Sequence, residues 1–245
     1  MDQFQDRFAE WTRFPARLLL AAVALLLVAS ALVPVRAGKQ ETAVAGFVEN
    51  VAGTQNKAAE RPRDDDLALY DRVIARVGAG EDYYKVAAEE HRKANYPLRP
   101  GVAVRLPTLA WLAVLLGDTG RGAEVVVPGL LAAAIGLMLA TLWVWWRRFG
   151  DEGVSPSQRR FAMAFLFLGA SLGLNRYYFV LHELWAGMLI ALAIGLHRPG
   201  QRWLAALAVA ALALAIREHA LPFVLLMAAV AFWRRDWKEG LVWSA

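Results

Sequence analysis

Three consecutive aspartates, Asp64, Asp65 and Asp66, stand at the head of the helical repeat LALYDRVIARV. Further on, apolar sequence is broken by three more polar groups: Arg176-Tyr177-Tyr178, His182-Glu183 and Arg217-Glu218-His219. These residue types supply carboxylates and imidazoles for proton transfer, and guanidinium groups for holding a phosphate. Each also has a plainer reading. Acids suit the first turn of a helix, where they meet unpaired N–H groups. Arg217 and Glu218 can cap helix ends and pair with each other. His182-Glu183 resists that explanation because it lies inside an apolar stretch. A divalent-metal reading of Glu183 with His182 and the aspartates has little support, since adjacent residues do not share a helix face.

Such groups can meet only if the chain between them is organised, and composition indicates how. The 245 residues are 58% hydrophobic and 20% charged, with a mean hydropathy of +0.36. That is too apolar for an ordinary soluble domain and too charged for a bare bundle of spans. The net charge of +5 comes with arginines set beside apolar runs, a pattern of membrane orientation rather than of nucleic-acid binding. Cysteine is absent, so disulfides and thiolate metal sites are excluded.

The expectation is an all-α polytopic membrane protein of about six transmembrane helices, with a large extracytoplasmic loop carrying interfacial amphipathic helices. Residues 1–16 form a cytoplasmic N-terminus and 17–35 a first span, long enough to cross. A cleaved signal peptide, with Ala29-Ser30-Ala31 as its small-residue site, is the competing reading. Residues 36–122 form the loop. Within it Leu67, Tyr70, Ile74 and Val77 recur at helical spacing with Val73 beside them, and YYKVAAEEHRKANYP forms a second short helix ending before Pro97. The segment VRLPTLAWLAVLLG is too short to cross and lies in the interface. Residues 123–245 form a helical bundle: a span over 123–146, a hairpin over 161–196 broken at Asn175-Arg176, and a second over 203–233 broken at Arg217-Glu218-His219.

Arginine in the joints at 147–160, 197–202 and 234–238 assigns those joints to the cytoplasm. The aspartates and the two breaks then share the opposite side. Trp143, Trp145, Trp146, Trp203, Trp233 and Trp237 cluster at the same cytoplasmic boundary. The halves of the hairpins are short: residues 203–216 cover about 21 Å as a helix, against roughly 30 Å of hydrocarbon. Charges at the breaks therefore lie in a polar depression or a thinned bilayer. His91 and His197 read as solvated or interfacial residues with no further role.

A first span, a large outer loop with an early acid, and then short paired spans resemble the GT-C glycosyltransferases, integral membrane enzymes of which many use polyprenyl-phosphate-linked sugars. Within the loop, DLALYDRVIARVGAGEDYY is similar to that family's Asp-x-x-x-Tyr followed by a short helix and glycine. The resemblance gives Asp66, with Asp65 as alternate, the place of the loop aspartate that accepts the proton of an acceptor hydroxyl. It gives Arg217 and Arg176 the departing lipid phosphate, and Tyr177 and Tyr178 the sugar face or the interface. His182-Glu183 sits where several members carry a second acidic site, with Glu218 and His219 beside Arg217. The stretch NRYYFVLHE departs from the family in lacking the DxD or ExD of some members, which leaves a divalent metal open and no cofactor assigned. The implied partners are membrane lipids, a lipid-linked sugar donor and an acceptor the sequence does not name, with no nucleic acid. The implied location is a bacterial inner membrane with the N-terminus cytoplasmic. Many members have more than six spans, so the chain reads as an N-terminal fragment. The rival readings are a transporter or flippase-like subunit, against which no internal repeat is found, and a structural membrane subunit.

Overall fold

The structure, a computed structural model, describes residues 65–98, 104–121, 127–171 and 174–245. The chain divides into Met1–Ala58 and Ala59–Ala245, and every described residue belongs to the second unit. The segment 1–16, the span expected over 17–35 and Asp64 lie outside the described residues.

Among the described residues the fold is all-α. Helix α1 (Asp65–Gly78) buries Leu67, Leu69, Val73 and Ile74, the face expected from the apolar repeat together with Leu69. Helix α2 (Tyr83–Lys93) begins where the Asp82 side chain accepts the Lys85 N–H at 2.9 Å, a side-chain cap of the usual kind. It ends at Asn95, whose positive φ of 57° turns the chain away. Helix α3 (Thr108–Leu115) packs on α1 and touches the later bundle. Gly120 then brings the chain onto the back of α1, where a Cβ would lie 2.2 Å from the Asp71 carbonyl oxygen. Only glycine fits there.

The bundle follows as α4 (Pro128–Asp151), α5 (Pro156–Ser171), α6 (His182–Leu196), α7 (Leu204–Ile216), α8 (Leu221–Trp233) and α9 (Trp237–Ser244). Two 3₁₀ turns, Arg176–Tyr178 and Glu218–Ala220, interrupt it at the two breaks marked by polar residues in the sequence. Helix α4 lies between α5 and α6, α6 packs most closely on α7, and α8 on α9. At Gly195 the α4–α6 crossing is tight: a Cβ there would meet Val144 at 2.9 Å, and the Trp145 indole N–H donates to the Ala191 carbonyl at 2.9 Å. So α6 packs chiefly on α4 and α7, and the hairpin expected over 161–196 is replaced by a pair across the 197–203 joint.

The count of about six crossing helices is corrected. Among the described residues only α4, with 24 residues, is long and apolar enough to cross a membrane. Helices α6, α7 and α8 are apolar but hold 15, 13 and 13 residues, about 20–22 Å each at roughly 1.5 Å per residue. The physical reason lies at the breaks. Arg217 leaves α7 in extended conformation, and Pro222, in the first turn of α8, fixes a new helix start that a longer apolar run would not have had.

Candidate functional site

Four separate segments meet where α6 begins and α7 ends. Arg217 follows α7 in extended conformation, φ −144° and ψ 114°, and the Ala220 N–H closes back on its carbonyl at 2.9 Å. Pro222 then starts α8. This corner buries Arg217, which is 8% exposed. Its Nη1 donates to Glu218 Oε1 at 2.7 Å, and its Nε lies 3.2 Å from Glu183 Oε1. The second contact is an ion pair without hydrogen-bond alignment, since Arg217 Nε has no acceptor. Glu183, in the first turn of α6, is 47% exposed and also receives Arg105 Nη2 at 2.8 Å. Arg105 comes from the segment before α3, pinned by the Tyr83 hydroxyl, which donates to the Arg105 carbonyl at 2.8 Å. His219 Nδ1 extends the row, 3.3 Å from Glu218 Oε1. The result is a ladder, Arg105–Glu183–Arg217–Glu218–His219, with two guanidinium groups facing two carboxylates.

Beneath the ladder His182 is buried at 3% exposure, its ring 5.3 Å from that of Tyr70. Its Nδ1 lies 3.1 Å from the Val180 carbonyl, which makes that nitrogen the donor. Nε2 is buried without an aligned hydrogen-bond partner, and the Leu106 carbonyl also acts on the ring. It adjoins a small, mostly apolar pocket lined by Tyr70, Ile74, Tyr83, Leu109 and Val180. Burial pushes the Tyr70 hydroxyl up to about 12, with Arg105 opposing and Glu183 adding. Arg217 and Asp66 also act on it, so Tyr70 is the residue within electrostatic reach of both the ladder and the acid cluster.

One helical turn before Tyr70, Asp65 and Asp66 are both exposed in the first turn of α1. The Asp66 carboxylate, acting on the Tyr96 hydroxyl, is the first cause, and burial the second, that raises Tyr96 to about 12. The neighbour acting on Asp66 thus comes from beyond α2's end, and among the described residues no ion pair joins it to the ladder. The turn Arg176–Tyr178 is set by Asn175, whose Oδ1 accepts the Tyr177 N–H at 3.0 Å. Tyr177 and Tyr178 meet edge to face at 5.0 Å and pack, partly buried, on the main core. The expectation for the Arg176 side chain lies outside the described residues. Among the described residues no group of three or more metal-ligating side chains is placed to hold a metal ion.

The opposite end of α6 holds a second charged group. Glu239, on α9, is 0% exposed. Its Oε1 pairs with His197 Nε2 at 2.6 Å and its Oε2 with Arg234 Nη2 at 3.0 Å. Trp243 covers the imidazole edgewise at 6.4 Å. His197 is therefore buried and paired, not solvated. His91 is buried too, its Nδ1 2.7 Å from the Ala87 carbonyl one turn earlier.

Of the expected residues, the structure brings Glu183, Arg217, Glu218 and His219 into one ladder, sets His182 below it, and places Asp66 near through Tyr70. It adds Arg105 and Tyr96, which the residue patterns did not single out for the site, and brings in Tyr70, the tyrosine of the Asp-x-x-x-Tyr stretch, beside His182. Arg105 carried a usable signal: it is the lone cation at the head of an apolar segment. The chain matches no protein-family model, no curated protein sequence and no solved structure.

Proposed function

We propose that the chain is a membrane glycosyltransferase that transfers a sugar from a lipid-phosphate-linked donor to an acceptor on the extracytoplasmic face, in the manner of a GT-C enzyme. One observation carries this reading. Seven buried side-chain polar atoms lack a hydrogen-bond partner among the described residues, and four of them, on Arg105, His182, Arg217 and Glu218, converge on this one corner. Buried polar groups left unmade are costly, and such concentrations occur where a ligand or a reaction uses them.

On this reading Asp66, oriented by Tyr96, takes the proton of the acceptor hydroxyl as its oxygen attacks the anomeric carbon. The bond from that carbon to the carrier phosphate breaks, and the phosphate leaves with its lipid. Arg105 and Arg217 meet the charge that grows on the leaving oxygen. Half-exposed Glu183 is the carboxylate that yields them to the phosphate. The membrane setting is supported by α4, whose apolar stretch is only 28% buried, where the core helix of a soluble protein would be covered. Large apolar side chains such as Leu139, Phe165, Leu225 and Trp233 face outward. On this reading α4 crosses an inner membrane and the shorter apolar helices α6 to α8 enter the bilayer with their charged ends in a polar depression.

A second reading, a structural or transporter-like membrane subunit, is favoured by one observation: Arg217 already has two carboxylates beside it. The deciding experiment incubates the full chain in liposomes with a radiolabelled polyprenyl-phosphate-linked sugar and follows donor consumption and polyprenyl-phosphate release. Consumption that Asp66→Asn abolishes supports the enzyme. Absence of both consumption and polyprenyl-phosphate binding supports the subunit. Because the chain has no native cysteine, single cysteines test its orientation. Impermeant thiol labelling from outside at Ser155, with none at Thr54, would overturn the topology on which the site depends.

A further inference from the structure

The last turns of α4 present two faces with opposite charge accounting. On the face toward α6, Arg148 stacks over Trp145 at 5.4 Å and is satisfied by protein acceptors: Glu152 Oε1 at 2.8 Å and the carbonyls of Ile194 and His197. The other face carries Trp143, Trp146, Arg147 and Gly150, which fall on one side of a helix by their spacing. There Arg147 stacks over Trp143 at 5.6 Å, and Arg159, arriving from α5, lies 4.8 Å over Trp146. Gly150 makes room for it, since a Cβ there would sit 2.8 Å from Arg159 Nη1. Neither Arg147 nor Arg159 has a carboxylate partner among the described residues, because the two nearby acids are taken: Glu152 by Arg148 and Asp151 by Arg198 at 3.5 Å.

Stacking occupies the face of a guanidinium and leaves its in-plane N–H groups available to fork onto an anion. The anion must therefore come from outside these helices. Its class follows from the surroundings. Trp143 is 62% exposed, and beyond its first turn α5 shows Phe161, Phe165, Phe167 and Leu168 outward. A cation pair ringed by exposed indoles and flanked by apolar side chains matches the headgroup level of a bilayer.

We propose that the Trp146–Gly150–Arg159 corner, with Arg147 beside it, binds the phosphate of an anionic phospholipid. The inference rests on the membrane setting proposed above, but not on the sugar-transfer chemistry, and it concerns the other end of the bundle from Asp66 and Arg217.

The test offers the purified, delipidated full chain in detergent an equal mixture of phosphatidylglycerol and phosphatidylcholine and counts retained lipid by native mass spectrometry. Wild type retains phosphatidylglycerol preferentially. Arg159→Gln weakens that preference about tenfold, as loss of one charge-assisted fork would. Gly150→Ala, which displaces the guanidinium while keeping its charge, weakens it as well, and Arg202→Gln at the neighbouring joint leaves it unchanged. Equal retention of the two lipids overturns the proposal. So does an equal loss in Arg159→Gln and Arg202→Gln, which would mean diffuse charge rather than a site. Displacement of the lipid by inorganic phosphate at equal concentration overturns it in favour of a free-anion site. A chain that stays monomeric in buffer without detergent removes the membrane setting itself, and this site with it, a result separate from any measured on sugar transfer.

Discussion

The two charged groups at opposite ends of α6 are built from the same residue types and solve different problems. At the His197 end one carboxylate, Glu239, is sealed from solvent and each of its oxygens has a side-chain partner, His197 or Arg234, with the Asp236 side chain accepting its backbone N–H at 3.0 Å. At the Arg217 end the anions are split between two partly exposed carboxylates, and four polar atoms are covered yet unpartnered, against two, on Arg234 and Trp243, at the His197 end. A sealed pair in low dielectric holds helices in register and resists rearrangement. A ladder with one wet rung and spare donors can exchange a partner. On the proposed function the contrast gives stability to one end and binding to the other, and it can be broken.

The largest expected effect belongs to the sealed end. Glu239→Ala leaves Arg234 without its carboxylate and should cost about 3–5 kcal/mol of stability, read as a lowered melting temperature in detergent, while transfer per folded molecule is unchanged. A variant that melts normally and yet loses activity would abolish the division between the ends.

Next comes the acid cluster. Asp66→Asn keeps shape and removes the base, so sugar transfer should fall by roughly 10²-fold or more with melting preserved, whereas Asp65→Asn has a smaller effect. Full activity in both variants would return the aspartates to the role of helix-start acids.

Arg217→Lys sharpens the comparison further. Lysine keeps the charge but not the planar fork, so affinity for a polyprenyl-phosphate analogue should drop about tenfold while the fold persists. Unchanged affinity, with melting lowered equally in Arg217→Lys and Glu218→Gln, would make this end as structural as the other.

The smallest effect is a pH dependence in the platform that carries Asp66. Glu90 is 3% exposed and joins α2 to α1 through Arg72 at 2.9 Å and Arg76 at 3.0 Å, with Lys93 at 2.8 Å. Burial alone would raise its pKa, but the bonds from Lys93, Arg72 and Arg76 prevail and hold it down, from the ordinary 4.5 to about 2. A depressed folded-state value means that its contribution is complete above about pH 4.5 and lost as pH falls toward 2. Melting followed across that window should fall less steeply in Glu90→Gln than in wild type. Parallel curves would show that the α1–α2 contact does not depend on this charge.

Much of the element plan was legible beforehand. The apolar repeat of α1, the second helix ending ahead of Pro97, and the breaks at 175–183 and 217–219 all follow from local causes: the 3.6-residue period, capping side chains and proline. The same patterns overstated the spans, because an apolar run says how greasy a segment is and not where its helix stops. They also misread His91 and His197. A histidine beside arginine in the sequence looks solvated until packing brings an acid to it from 42 residues away.

By itself, then, the sequence determined an all-α chain of short apolar helices with ionisable residues at their ends, since helix periodicity and termination depend on neighbours a few residues apart. Tertiary structure alone decided which charges meet. Arg105 reaches Glu183 only because α3 lies against α1 and α7, and Glu183 reaches Arg217 only because α6 packs on α7. Charge carries no direction along the chain, so an arginine reads alike whether its anion is a distant carboxylate or a ligand. Packing fixes the distance, and distance with dielectric sets the strength of the pair.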